Sequence, residues 1–275
     1  MKKHGPIGIF DSGLGGLTVF HEIRDRLPQY DYLYLGDTAR TPYGTRSFET
    51  IYRYTQQGVK TLLNAGCPLV ILACNTASAK ALRSIQQKDL VTHYPNERVL
   101  GVIRPSVEVV GESSISKKIG LFGTPGTVRS DSYKMEFNKL FPDIELFQEA
   151  CPMWVPLVEN NEVDTPAAEF FVKKHVNNLL EQSSAIDTII LACTHYPLLM
   201  DQIRKFVPEE IHIMDQGPLV AEKLDDYLYR HPEIEERCTK KGNAAFMTTG
   251  AVDLFEENAE IFFGQKISSK HIELL

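Results

Sequence analysis

Apolar runs of strand length recur along the chain at 7–10, 32–35, 70–73, 99–103, 119–122, 144–147, 188–192, 212–214 and 244–248. Between most of them the apolar residues change to helical spacing, as in 48–63 with Ile51, Tyr52, Val59, Leu62 and Leu63. Short continuous runs alternating with amphipathic stretches predict an α/β protein with mainly parallel sheets flanked by helices.

Two of these runs end alike. Val70-Ile-Leu-Ala-Cys74-Asn-Thr76 reappears as Ile189-Ile-Leu-Ala-Cys193-Thr-His195, an offset of 119 from position 74 to position 193. Ile7-Gly-Ile-Phe10 is echoed by Ile119-Gly-Leu-Phe122, an offset of 112 from position 7 to position 119. Loop-length variation absorbs the difference between the two offsets. The pattern predicts two pseudo-symmetric domains facing each other, 1–98 plus 215–275 and 99–214, with a site at their interface.

Cys74 and Cys193 each follow a strand and precede small polar residues, the place where open α/β sheets bind ligands. Helix-start amides there are expected to stabilise a thiolate and pull its pKa below ~8.5. Free cysteine is also commonly inert core packing, the reading that suits Cys67, Cys151 and Cys238. At 74 and 193 the repeated polar followers favour chemistry. His195 shares the second cysteine's loop, where an imidazole can bond a thiol or move a proton.

Asp11-Ser12-Gly13-Leu-Gly15-Gly16 is not a dinucleotide fingerprint, because Thr18 stands where a third glycine or alanine is needed, and it has no P-loop ending. It is a tight turn whose amides could hold a carboxylate, with Asp11 as a base partner, or a plain turn capped by Ser12. The loop from Gly36 to Gly44 reads locally as a turn, Glu159 as a solvated helix carboxylate and Trp154 as core. Two sulfurs flanking one carbon would lie roughly 6–7 Å apart, too far for a disulfide, since reacting atoms approach within ~3–3.5 Å.

Composition narrows the classes. The 275 residues hold 29 basic against 36 acidic side chains, a net charge of −7 with no basic stripe, which disfavours nucleic acid. No run approaches the ~20 residues of a membrane span. No secretory core precedes the first glycine loop and the five cysteines are an odd number, so a cytoplasmic protein with free thiols is expected. Zinc is not expected, because Cys74, Cys193 and His195 supply three ligands with no close pair in the first half.

Four ordered segments together resemble the glutamate racemases: Ile7 to Gly16, Asp37-Thr-Ala-Arg-Thr-Pro42-Tyr43-Gly44, Ala73-Cys74-Asn75-Thr76-Ala-Ser78 and Ala192-Cys193-Thr194-His195-Tyr-Pro-Leu198. The resemblance implies a homodimer of two-domain subunits that interconverts L- and D-glutamate without a cofactor and supplies D-glutamate for peptidoglycan. Under it Cys74 takes the α-proton from D-glutamate and Cys193 from L-glutamate. Asp11 assists the first thiol, while His195 and Glu159 assist the second. Asp11, Ser12, Pro42, Tyr43, Gly44, Asn75, Thr76, Thr124, Thr194 and His195 correspond to substrate positions. One stretch departs: Gly101-Val-Ile-Arg104-Pro105-Ser106 stands where Gly-Val-Ile-Glu-Pro-Gly is expected, which bears on interdomain contacts. Activation by a cell-wall precursor, found in some members, is not expected with a first strand at position 7. The competing readings are an aspartate racemase, a one-cysteine decarboxylase and a non-catalytic small-anion binding protein.

Overall fold

The computed structural model describes residues 4–274. Its ten strands are β1 (Ile7–Asp11), β2 (Tyr32–Gly36), β3 (Leu69–Leu72), β4 (Arg98–Gly101), β5 (Lys118–Gly123), β6 (Glu145–Ala150), β7 (Thr188–Ala192), β8 (His212–Met214), β9 (Ala244–Thr248) and β10 (Ser269–His271). They form two sheets in which every pairing is parallel, ordered β10-β9-β2-β1-β3-β4 and β6-β5-β7-β8.

The inferred repeat is visible in this topology. Four strands of the first sheet, β2-β1-β3-β4, match the second sheet strand for strand as β6-β5-β7-β8. The cysteine strands β3 and β7 occupy the same place, each beside its glycine-containing neighbour β1 or β5. The chain then returns to the first sheet, where β9 pairs with the outer edge of β2 in the register Tyr32↔Ala244 to Gly36↔Thr248.

The four inner strands β1, β3, β5 and β7 are almost wholly buried because helices cover both faces. This explains their unbroken apolar runs. One hydrophobic cluster includes β1 and β2 residues such as Ile7 and Tyr34 together with Trp154 and Ile189 of the second half, so apolar packing continues from one sheet to the other. Trp154 is fully buried against Phe122 and Tyr196, as a core residue.

Three expectations about elements need correction. The run 99–103 ends as a strand at Gly101, and Ile103 opens the helix Ile103–Ser113. Pro105 fits there because the first helical turn needs no N–H donor. The run 144–147 is the longer strand β6. Strand β10, Ser-Lys-His on a sheet edge and mostly exposed, carries no apolar run and was not expected. Arg104 sits on the surface and pairs with Glu108 one turn along its own helix at 2.9 Å, and Glu108 also lies 3.8 Å from Lys223 of the helix Gln216–Arg230. A half-exposed pair of this kind contributes about 0–1 kcal/mol, so the altered charge is absorbed locally.

Candidate active site

The carboxyl ends of the two sheets face each other. Asp11 ends β1 and is completely buried. Its Oδ2 accepts the Gly13 amide at 2.8 Å, and the Gly16 amide also bonds this carboxylate. The turn amides considered for a substrate carboxylate are therefore occupied by the protein's own aspartate. Burial raises the Asp11 pKa above the ordinary carboxylate value against the opposing effect of His195 and those amides, with Glu159 adding to the rise. The other oxygen, Oδ1, is buried without a hydrogen-bond partner among the described residues.

Cys74 is the N-cap of the helix Asn75–Ser84, and its sulfur accepts the Ala77 amide at 3.4 Å. Ser12 Oγ lies 3.3 Å from the same sulfur. Ser12 therefore serves the thiol and does not cap its own helix, whose N-cap is Gly15. The helix amide does not produce the low pKa expected from sequence. Burial and the neighbouring Asp11 carboxylate push the Cys74 thiol up to about 12, outweighing the Ser12 and Ala77 bonds. In a dry site, desolvation and a like charge exceed one amide bond.

Cys193 directly follows β7, and no long α-helix starts behind it. The chain continues as a 3-10 turn, Tyr196–Leu199, and then the short helix Met200–Arg204. His195 fills that space, with Nδ1 3.9 Å from the Cys193 sulfur and Nε2 3.1 Å from Glu159 Oε1. Glu159, the last residue of the helix Trp154–Glu159, is thus drawn into the site and is not a solvated helix carboxylate. Burial alone disfavours the imidazolium, but the bonds and charges of Cys193 and Glu159 overcome it and raise the His195 pKa to about 10. A protonated ring can donate to both partners, forming a sulfur–imidazole–carboxylate relay.

Close contacts tie the two ends together. A Cβ on Gly15 would lie 2.3 Å from Thr194 Oγ1 and 2.4 Å from His195 Nδ1, so only glycine lets the first loop approach this closely. Thr18 Oγ1 reaches the Thr194 carbonyl at 2.9 Å. Gly44 packs against Thr124, and Thr76 Oγ1 is 3.0 Å from Thr124 Oγ1. Thr124 also caps the short helix Pro125–Val128. The Thr41–Pro42 peptide is cis, and the Tyr43 hydroxyl donates to Asp37 Oδ2 at 2.5 Å, so that hydroxyl is engaged within its own loop. Cys74 and Cys193 are each 6% exposed, which leaves both sulfurs nearly sealed between the sheets.

The structure brings Asp11, Ser12, Cys74, Asn75 and Thr76 together with Thr124, Glu159, Thr194 and His195, with Gly44 against Thr124 and Tyr43 packed in the cluster that holds Cys74, while Pro42 is exposed on its turn. The sequence motifs include Gly15 and Asp37 without assigning them a role, and nothing in the sequence reading singles out Tyr133 or Gln216. Gln216 had one available signal, its place just past β8, a third strand end on the same side. All five cysteines are free, so no bridge joins Cys74 to Cys193. Among the described residues no group of three or more His, Cys, Asp or Glu is arranged to hold a metal ion, and no helix is long and apolar enough to cross a membrane.

Comparison with known proteins agrees with this geometry. The sequence pattern described as Asp/Glu/Hydantoin racemase matches residues 18–223. A glutamate racemase of Streptococcus gordonii is 39% identical over 269 residues, covering 98% of each chain. The crystal structure of a glutamate racemase isoform from Bacillus anthracis superposes with a TM-score of 0.90 at 35% identity, over 99% of this chain and 98% of that one. That of the Francisella tularensis glutamate racemase in complex with D-glutamate gives 0.86 at 30% identity, over 98% of each. With two facing parallel sheets, a thiol at the matching strand end of each, and relatives spanning its full length, the chain belongs to the Asp/Glu/hydantoin racemase family, on its glutamate racemase branch.

Proposed function

We propose that this isomerase interconverts L- and D-glutamate by two-base proton transfer, with Cys74 and Cys193 on opposite faces of the α-carbon. The observation that carries this reading is the pair of sulfurs at equivalent strand ends of facing sheets, Cys74 charge-coupled to the Asp11 carboxylate and Cys193 3.9 Å from the His195 imidazole. The α-proton of an amino acid is very weakly acidic, so the carbanion needs donors aimed at the carboxylate as it gains enolate character. Asn75, Thr76, Ser12 and Thr194 provide such donors in a site from which water is largely excluded. The Francisella relative was crystallised with D-glutamate, which fits a cleft of this kind.

In the resting state His195 carries a proton beside the Cys193 sulfur, and Cys74 is a neutral thiol. L-glutamate then gives its α-proton to Cys193 while Cys74 delivers its own to the opposite face. D-glutamate requires the reverse: Asp11, which is charge-coupled to Cys74 and has one oxygen without a partner among the described residues, takes the thiol proton, and the His195 relay protonates Cys193. Asp11, His195 and Glu159 are the auxiliary acid–base groups in this scheme, and Ser12, Pro42, Tyr43, Gly44, Asn75, Thr76, Thr124 and Thr194 surround the substrate. No cofactor takes part.

The division into two domains, a homodimeric assembly, a cytoplasmic location and the supply of D-glutamate for peptidoglycan belong to the same proposal, supported by the likeness to glutamate racemases; the expected border of 1–98 plus 215–275 against 99–214 moves past Gly101, because β4 pairs with β3 of the first sheet along its whole length. The test is racemisation in deuterated water without added cofactor. Each enantiomer should acquire solvent deuterium only in the product of opposite hand, and Cys74→Ser and Cys193→Ser should each lose at least about a thousandfold in turnover. Near-normal activity in either variant removes the two-base assignment.

A further inference from the structure

Asn75, Tyr133 and Gln216 close a ring of hydrogen bonds between the two sheets. Asn75 Nδ2 donates to Gln216 Oε1 at 2.5 Å, Gln216 Nε2 donates to the Tyr133 hydroxyl oxygen at 2.6 Å, and that hydroxyl donates to Asn75 Oδ1 at 2.6 Å. All three side chains are buried. Each gives one proton and accepts one, so the ring is internally satisfied.

A ring of two amides and a hydroxyl can run in either direction, because turning both amides over reverses all three bonds. Ser106 removes that freedom. Its Oγ accepts the second Gln216 N–H at 2.7 Å and donates its own proton to the Val102 carbonyl at 2.8 Å. In the reversed ring Gln216 would turn its carbonyl oxygen toward Ser106. The hydroxyl would have to leave Val102, and the second Gln216 N–H would lose its acceptor. Ser106 stands where glycine is expected from the family resemblance, so this fourth contact belongs to this chain's own sequence.

Asn75 keeps one N–H outside the ring in either direction, and the direction of the ring determines on which side of the amide that N–H stands. With Nδ2 bonded to Gln216, one Asn75 N–H remains outside the ring, on the residue directly after Cys74. We propose that Ser106, Gln216 and Tyr133 are positioning residues that lock the Asn75 amide so that this N–H is offered to the substrate. The inference rests on the reading that Asn75 holds glutamate. It assigns the polar group on the helix Ile103–Ser113 to the chemistry without contact with the reacting atoms.

The test is a set of double-mutant cycles on the full chain, reading kcat, KM, the pH profile and thermal unfolding. Tyr133→Phe and Gln216→Leu should each lower kcat/KM by roughly ten- to a hundredfold, and Ser106→Ala by about threefold, with the pH profile unshifted because no thiol partner has changed. In the Asn75→Ala background each should change kcat/KM by less than about twofold, since contacting residues in one network are not additive. Tyr133→Phe and Ser106→Ala remove only a hydroxyl, so they serve where Gln216→Leu fails to fold. Full additivity with Asn75→Ala, a shifted pH profile, or no effect of Tyr133→Phe overturns the positioning role while leaving the racemase reading intact. An Asn75→Ala variant as active as the parent overturns the substrate role of Asn75 and this proposal with it, again without touching the two-thiol reading.

Discussion

Cys74 and Cys193 follow equivalent strands in matching sheets, yet their surroundings store protons differently. Cys74 caps a helix and is buried beside a carboxylate, which keeps the proton on sulfur. No long α-helix starts behind Cys193, and its loop instead places an imidazole between sulfur and Glu159, which keeps the proton on the ring. The repeat therefore places one thiol at the matching strand end of each sheet, while unequal loops give the two thiols different proton-handling neighbours. A symmetric site with two thiols, or two thiolates, would lack either the base or the acid for the first turnover.

The most direct way to break this comparison is to disable one side at a time. Because racemisation has an equilibrium constant of one, kcat/KM must fall equally for both enantiomers, and the asymmetry has to be sought in isotope effects. Asp11→Asn and His195→Asn should each reduce kcat/KM by about a hundred- to a thousandfold. With α-deuterated substrates, His195→Asn should enlarge the isotope effect on L-glutamate and diminish that on D-glutamate, and Asp11→Asn should do the reverse. Parallel changes in both variants would mean that the two auxiliaries do not belong to separate sides.

Glu159→Gln should be milder, about tenfold, because it weakens the relay without removing the imidazole. It also carries a stability signature. The folded-state pKa of His195 lies above the ordinary value of 6.5, at about 10, so its contribution is fully present below 6.5 and is lost as pH rises toward 10. Chemical denaturation between pH 6 and 10 should show the parent's advantage over Glu159→Gln shrinking with rising pH. A constant or growing gap would place the proton elsewhere.

Ser12→Ala should have the smallest effect, a few-fold, because one hydroxyl opposes the burial that governs Cys74. Peptide mapping after iodoacetamide treatment gives a sharper reading. Cys74 alkylation should accelerate continuously from pH 8 to 10 in the absence of substrate. A plateau within that range would contradict a thiol held near 12.

Much of this was legible along the chain. The unbroken apolar runs of β1, β3, β5 and β7 announce strands buried on both faces, and the duplicated Leu-Ala-Cys endings announce matching sheets. Strand β10 was not legible, because an exposed edge of Ser, Lys and His has no periodicity to read. Glu159 was not legible locally either, since a helix-end carboxylate looks solvated until the fold brings His195 against it. The four-membered group of Ser106, Tyr133, Gln216 and Asn75 joins residues up to 141 positions apart. No local pattern marks such a set.

The sequence by itself determined what depends on near neighbours: strand and helix alternation, the frame of each cysteine, and the small polar residues behind them. Backbone periodicity and turn chemistry act over a few residues and can be read there. Only the tertiary structure decided the raised pKa values of Cys74 and His195 and the order of the interdomain ring. Desolvation, charge coupling and hydrogen-bond direction depend on which groups meet across the cleft, and a helix amide that would favour a thiolate in isolation is overruled at Cys74 by burial and by Asp11.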